Sequence, residues 1–440
     1  MTASPAAAGA RRMSLPALVG ALYFMVSGGP YGLEELARKV GFGGAAAILL
    51  AIPFVWSAPT ALMVGELAAA VPEEGGYYVW VRRALGPFWG FQEAWLSLAA
   101  SVFDMAIYPT LFVLYGARLW PPLGAAPVTS GVLMIAACAA ANLAGARAVG
   151  RGSVALTALL LAPFVVLSVL ALQSPAATPH ADPAQGRVDI AGAVLIAMWN
   201  TMGWDNASTV AGEVVRPQRT YPMAVLIAVG LVALTYVVPL LSMRAAGVSP
   251  SDWDTGSWVD AARQLGGPGL AAAVVFGGVV SAFGMFGALL LSYSRLPVAL
   301  AHDGLMPRAF ARRLPRGGAP WLAVIACGGA WTVSLGLSFE RLVSLDILLY
   351  GTSLVLEFVA LAALRVREPD LARPFRVPGG VWGASLLGVA PVLLLGFALV
   401  KNAGEQLDGI NALGLGLAVV LAGPLVYAAT QVGKRRPAPG

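Results

Sequence analysis

The chain has 440 residues, of which 58% are hydrophobic and only 11% charged, with a formal net charge of +6. At a mean hydropathy of +0.77, so few charges cannot cover a soluble domain, and the apolar surface must face lipid. The basic excess follows membrane topology, as the span count below shows, so nucleic acid is not an expected partner. Cys138 and Cys327 lie inside apolar runs and read as packing residues, and His180 and His302 lie far apart in loops. Neither a disulfide nor a metal site nor a cofactor is expected from them. Arg11 and Arg12 precede an apolar stretch that runs on into a helix without a small-residue cleavage site, so no cleavable signal is read.

Apolar runs of about 20 residues, long enough to span a bilayer, recur along the whole chain. They fall near 14–40, 43–70, 87–117, 126–147, 152–173, 188–215, 222–246, 268–300, 320–338, 341–364, 381–400 and 409–431. Twelve spans with an inside N-terminus place twenty basic residues on the inner side and eight on the outer, which accounts for all 28. That bias predicts a multi-pass protein of the plasma (inner) membrane with both termini cytoplasmic. The aromatic segment at 72–86 is expected to form an interfacial helix on the inner side.

The first span is interrupted at Ser27-Gly28-Gly29-Pro30, and the sixth at Asn200-Thr201-Met202-Gly203-Trp204-Asp205-Asn206. A carboxylate at mid-depth costs roughly 2.5–3.5 kcal/mol on insertion scales, so it should face a cavity or a partner. The backbone groups freed by such a break are tolerated only where the chain lines a water- or ligand-filled site. One broken helix in each half points to a transporter's binding site. The expected fold is therefore all-α integral membrane with a five-plus-five inverted repeat. Residues 14–173 and 187–366 form the two halves, and 380–431 supplies two further helices. A channel would need a continuous polar stripe, and an enzyme a His/Asp or Ser/Lys constellation. The sequence carries neither, so a secondary transporter and not an enzyme is expected.

The deep ionisable residues are acids: Asp205 at the second break, Glu34 just past the first, Asp104 in span 3 and Glu357 in span 10. No Lys or Arg is equally deep, so either a transported ammonium supplies the missing positive charge or desolvation keeps the acids protonated. Asp205, Glu34 and Glu357 are the expected proton-coupling groups, and Asp205 is the expected counter-ion of the substrate amine. Gly28 and Gly29 can serve in either of two ways. Their N–H groups can hold a substrate carboxylate at a half-helix N-terminus, or they merely permit the break. Tyr31, Tyr108, Trp199 and Trp204 lie beside the breaks, where an aromatic face attracts an ammonium by up to about 2 kcal/mol. Asn200 completes the expected binding set. Glu66, Glu93 and Glu213 lie near inner helix ends close to arginines and read as ion pairs, with Glu66 and Glu213 as the cytoplasmic gate. The expected partners are a small amine or amino acid, protons and the lipid bilayer.

Some passages carry a family resemblance. Glu66-Leu67, Pro72-Glu73-Glu74-Gly75-Gly76-Tyr77 and Gly86-Pro87-Phe88-Trp89-Gly90-Phe91 resemble the signature of the amino acid–polyamine–organocation (APC) transporter superfamily. The stretches 26–34, 103–109, 204–214, 292–307 and 349–378 are similar to its polyamine uptake branch. The resemblance implies the inverted-repeat fold and proton-linked uptake of polyamines or cationic amino acids by alternating access. General amino acid transport or exchange is the alternative. Span 8 offers Ser281 but no tandem hydroxyl pair, which disfavours a sodium site of the kind this superfamily uses. Span 5 has no Lys for coupling, unlike some members. Gly203 stands where plant relatives tend to carry an aromatic, which implies a roomier or differently shaped pocket.

Overall fold

A computed structural model describes residues 13–73, 75–144, 147–174, 188–315, 318–402, 404, 406–407 and 410–435. Arg11, Arg12, Arg187, Arg316 and Arg436, which enter the charge count above, lie outside them, as does His180. Among the described residues, eight helices are long and apolar enough to cross a membrane. Four shorter apolar helices accompany them: Leu15–Val26, Pro127–Leu143, Ile190–Trp199 and Trp321–Ser334.

The helices in chain order are α1 (Leu15–Val26), α2 (Glu34–Ile52), α3 (Ala58–Ala70), α4 (Tyr77–Leu85), α5 (Pro87–Gly116), α6 (Pro122–Ala125), α7 (Pro127–Ala144), α8 (Arg147–Gln173) and α9 (Ile190–Trp199). They continue as α10 (Pro217–Ala245), α11 (Ser257–Tyr293), α12 (Arg295–His302), α13 (Trp321–Trp331), α14 (Phe339–Arg367), α15 (Gly380–Leu387), α16 (Val389–Asn402) and α17 (Ala412–Arg435). Proline opens α5, α7 and α10, where its missing N–H would have had no helical partner. Extended pairing among the described residues is limited to a two-residue hairpin, Gln406–Leu407 with Ile410–Asn411, and a single bridge between Met13 and Val214.

Both expected breaks are present. α1 stops at Val26, and the chain does not resume as a helix until Glu34. In the second break, α9 ends at Trp199 and the chain continues after the turn as a 3₁₀ segment, Asn206–Glu213. The two breaks touch. Gly203 has φ of 87°, and a Cβ there would stand 2.8 Å from the Met25 carbonyl oxygen at the end of α1. Gly203 therefore permits the close approach of the two breaks, because the neighbouring backbone takes the space a side chain would need.

Two boundaries differ from expectation. Helix α2 joins the second half of span 1 to span 2 through a kink at Gly41 (φ 74°, ψ 168°), then passes through a π turn at Pro53–Ser57. The expected span at 268–300 belongs to α11, which starts earlier and kinks at Gly267 (φ 76°, ψ −174°), directly before Pro268. A left-handed glycine followed by a residue without an N–H is a natural place for such a kink.

Helices α5, α11 and α14 form the enclosed centre, with α5 packed on both others. The periphery exposes large apolar side chains, among them Phe54 at 79%, Val400 at 77% and Leu425 at 73%. Such a surface suits hydrocarbon. One end of the bundle is rich in arginine, with Arg82, Arg83, Arg365, Arg367 and Arg373. It carries the ion pairs Arg83–Glu368 (2.6 Å), Arg82–Asp303 and Arg365–Glu66. At the opposite end Lys39 sits 3.1 Å from both Asp189 and Glu340, and Lys401 lies 3.4 Å from Asp189.

Candidate substrate site

A cavity lies where the two breaks meet α5, α11 and α14, and it encloses about 30 Å³. That is room for one or two waters, so the site is shut down on its lining in this conformation. Aromatic rings make most of that lining, including Tyr31, Tyr108, Tyr115, Trp199, Tyr293 and Tyr350. Their packing depends on small residues in α11. Tyr31 donates to the Val274 carbonyl at 2.7 Å and lies edge-on to Tyr115 at 4.9 Å, and a side chain at Gly277 would strike its hydroxyl.

Two acids face the cavity from opposite helices, Asp104 on α5 and Asp346 on α14. Asp104 is held by two hydroxyls, from Tyr108 at 2.9 Å and Tyr293 at 3.3 Å. Asp346 is buried, and its Oδ2 has no hydrogen-bond partner among the described residues. A buried carboxylate oxygen without a donor is costly, so one that opens onto a cavity is a ready acceptor for a ligand. Asp346 is absent from the residues picked out by sequence. Its signal is nevertheless there, as a lone acid in the apolar run Leu345-Asp346-Ile347, close enough to the start of the span to pass for a helix-end residue.

The amino acid permease family model matches residues 20–420. The chain belongs to the amino acid permease family. It is 37% identical over 410 residues to a polyamine transporter of rice (Oryza sativa subsp. japonica), covering 90% of this chain and 75% of that protein. A polyamine transporter of Arabidopsis thaliana is 32% identical over 413 residues, covering 92% and 84%. An uncharacterized transporter of Mycobacterium tuberculosis is 28% identical over 424 residues, covering 93% and 90%. The permease is thus a multi-pass membrane transporter and not an enzyme.

Of the binding residues expected from sequence, the permease brings Gly28, Tyr31, Asp104, Tyr108, Trp199 and Asn200 to the cavity. Gly29, Glu34, Trp204 and Asp205 stand outside its lining. Asp205 is one step behind it: the Tyr350 hydroxyl, whose ring lines the cavity, donates to its Oδ1 and accepts from the Gly203 amide at 3.2 Å. Trp204 is fully buried, with its indole N–H on the Thr201 carbonyl at 2.9 Å, which is a packing arrangement. Glu34 is also fully buried. It accepts from the Tyr115 hydroxyl, from the Gly32 amide at 2.9 Å and from the Gly256 amide at 2.9 Å, so it fastens the first break to α5 and to the start of α11. Arg38 nearby pairs instead with Glu35.

The glycines of the first break are already engaged. The Gly29 amide donates to Ser27 Oγ at 3.1 Å, and the Gly28 carbonyl accepts from Ser281 Oγ at 2.6 Å. A Cβ on Gly28 would collide with Ser281 and Met285 of α11, so this position permits close helix approach.

Glu66 forms a dry ion pair with Arg365 and also accepts from the Val377 amide at 2.7 Å. The side chain of Glu213 lies outside the described part of the structure. Glu93 departs from its expected pairing with an arginine. It is fully buried, accepts from Ser97 Oγ at 3.2 Å through one oxygen, and leaves Oε2 without a partner among the described residues. Glu357 is equally buried, with neither oxygen hydrogen-bonded among the described residues.

Proposed function

We propose that the permease takes up polyamines or related organic cations, by alternating access about the cavity between the two breaks. The observation that carries this reading is Asp346, whose Oδ2 lacks a donor in an aromatic cavity opposite a second carboxylate, with no arginine or lysine lining the same space. An ammonium supplies donors and charge to both acids, and the rings add cation–π attraction. The carboxylate of an amino acid is less well provided for, because the Gly29 amide is spent on Ser27. The polyamine transporters of rice and Arabidopsis among the relatives favour the same substrate class.

The finer architecture is part of the proposal. The twelve apolar segments arrange as five-plus-five inverted repeats, 14–173 and 187–366, with 380–431 outside them, in a plasma membrane with the arginine-rich end cytoplasmic. Glu66 with Arg365 closes the cytoplasmic side. Proton coupling runs through Asp205, which reaches the cavity by way of Tyr350, so that ammonium binding and proton release are linked at one carboxyl.

Reconstitution into liposomes with an inward proton gradient tests the reading, with putrescine, spermidine, arginine, agmatine and a neutral amino acid assayed separately. Polyamine uptake that collapses with the gradient is the expected result. Arginine outpacing agmatine by about tenfold or more, the worth of one charge-assisted hydrogen bond, would replace it with an amino acid carrier.

A further inference from the structure

Below the cavity, toward the arginine-rich end, lies a second set of acids that the site described above does not use. Glu93 stands eleven residues before Asp104 on α5, and Glu357 eleven residues after Asp346 on α14. Eleven residues of α-helix advance about 16 Å and come back to within about 20° of the same face. Because α5 and α14 pack against each other and run in opposite directions, the two spacings coincide. The paired helices thus present two tiers of facing carboxylates. Asp104 and Asp346 form the upper tier, and Glu93 and Glu357 the lower. Asp205 lies between them, joined to the upper tier through Tyr350 and within electrostatic reach of both lower glutamates.

The lower tier is incomplete as it stands. Glu93 Oε2, both oxygens of Glu357 and the hydroxyl of Tyr221 are buried without a hydrogen-bond partner among the described residues. Tyr221 is fully buried, with Asp205 and Glu357 as its electrostatic neighbours. These groups are electrostatic neighbours of Asp205, yet none hydrogen-bonds another, the arrangement expected where a bridging donor belongs. Arg365 is taken by Glu66 and the Val377 carbonyl, and Arg295 donates to the Leu291 carbonyl at 2.6 Å. A primary ammonium brings three donors and a positive charge, which matches a set of carboxylate acceptors and a hydroxyl.

We propose that Glu93 and Glu357, with the Tyr221 hydroxyl, form a second ammonium subsite that receives the distal amine of a long linear polyamine. This deepens, and rests on, the reading of the permease as an amine carrier. The separation of the tiers is close to the reach of an extended tetraamine and well beyond that of a diamine, so a diamine engages the upper tier alone. The two tiers make the carrier a selector of chain length.

The test uses the full-length protein in proteoliposomes, with initial rates for putrescine and for spermine. Glu357→Gln and Glu93→Gln keep side-chain shape and remove one charge each. The expected result is that kcat/KM for spermine relative to putrescine falls about tenfold or more in each variant. Using the ratio cancels any loss of folded protein or of coupling common to both substrates. A ratio equal to wild type, whether or not both rates fall, overturns the subsite and leaves these glutamates a proton-handling or structural role. Wild-type protein that moves neither amine would instead remove the amine reading itself, and the subsite with it.

Discussion

Replacing Asp346 with Asn tests the upper tier most directly. The substitution keeps the shape of a buried side chain on α14 and removes its charge, and no protein donor competes for Oδ2. The whole of that oxygen's contact is therefore available to the substrate. A charge-assisted hydrogen bond contributes about 1.5–3 kcal/mol, so amine affinity should fall roughly tenfold to a hundredfold. Asp104→Asn makes a less clean comparison, because it also disturbs the hydroxyls of Tyr108 and Tyr293. The assay is substrate-induced thermal stabilisation of the purified protein, in parallel with initial uptake rates in proteoliposomes. Membrane insertion should be normal, because the change removes a buried charge and opens no hole. If Asp346→Asn binds putrescine and spermidine with wild-type affinity, the unpartnered oxygen is not the amine acceptor, and the argument from the cavity fails.

Asp205→Asn should lower cationic substrate uptake at least tenfold, about 1.4 kcal/mol, with Asp205→Glu retaining more; wild-type rates and an unchanged pH profile in the Asn variant would make Asp205 structural. Glu66→Gln leaves Arg365 buried without its counter-charge, which typically costs about 3–5 kcal/mol, and a thermal unfolding temperature equal to wild type would show that the pair is not dry. At the outer end, burial opposes ionisation of Asp189, but the Gly192 amide and the Lys39 ammonium outweigh it and hold its carboxyl below the usual carboxylate range. A lowered value means the contact is fully present above about pH 4 and is lost as pH falls through that lowered value. Asp189→Asn should therefore leave the shape of the uptake profile between about pH 5 and 8 unchanged, and a flattened profile would contradict this. Cysteines introduced at positions 312 and 434 should resist an impermeant thiol reagent in intact cells, and labelling from outside would reverse the orientation.

The parts of this protein that hydropathy controls were legible in the sequence. Polar interruptions of apolar runs located both breaks, because freed backbone groups at mid-depth need a lined site. Several residues at those breaks line the cavity, but which of them face it was not readable. Trp204 and Asp205 are neighbours in sequence to Asn200 and Gly203, yet the turn directs them away from the lining, and only the three-dimensional path of residues 200–205 decides this. Glu34 has the composition of a ligand and the environment of a clamp, because Tyr115 and Gly256, far away in sequence, converge on it. Asp346 and Glu93 were underrated for the same reason. Each lies within a few residues of a predicted span end, where an acid is normally solvated, but the packing of α5 on α14 buries both.

The two ends of the bundle are closed by contacts of unequal strength, which bears on how the cavity opens. The outer contacts, Lys39 to Asp189 and Glu340 and Lys401 to Asp189, involve partly exposed side chains. Pairs of that kind contribute at most about 1 kcal/mol each and weaken further with salt. At the inner end Glu66 and Arg365 are both dry, and each has further backbone partners, so separating them leaves two buried charges uncovered. On the proposed orientation, opening outward from the closed cavity is therefore the easier direction for the empty carrier, the state that the proposed uptake needs to capture substrate. Inward opening has to draw on an interaction that differs between the two states, since a ligand shifts an equilibrium only by its differential affinity. An ammonium passing from Asp104 and Asp346 toward Glu93 and Glu357 is such an interaction. It brings positive charge nearer Arg365, and the repulsion between the two cations weakens the inner contact only once substrate is present.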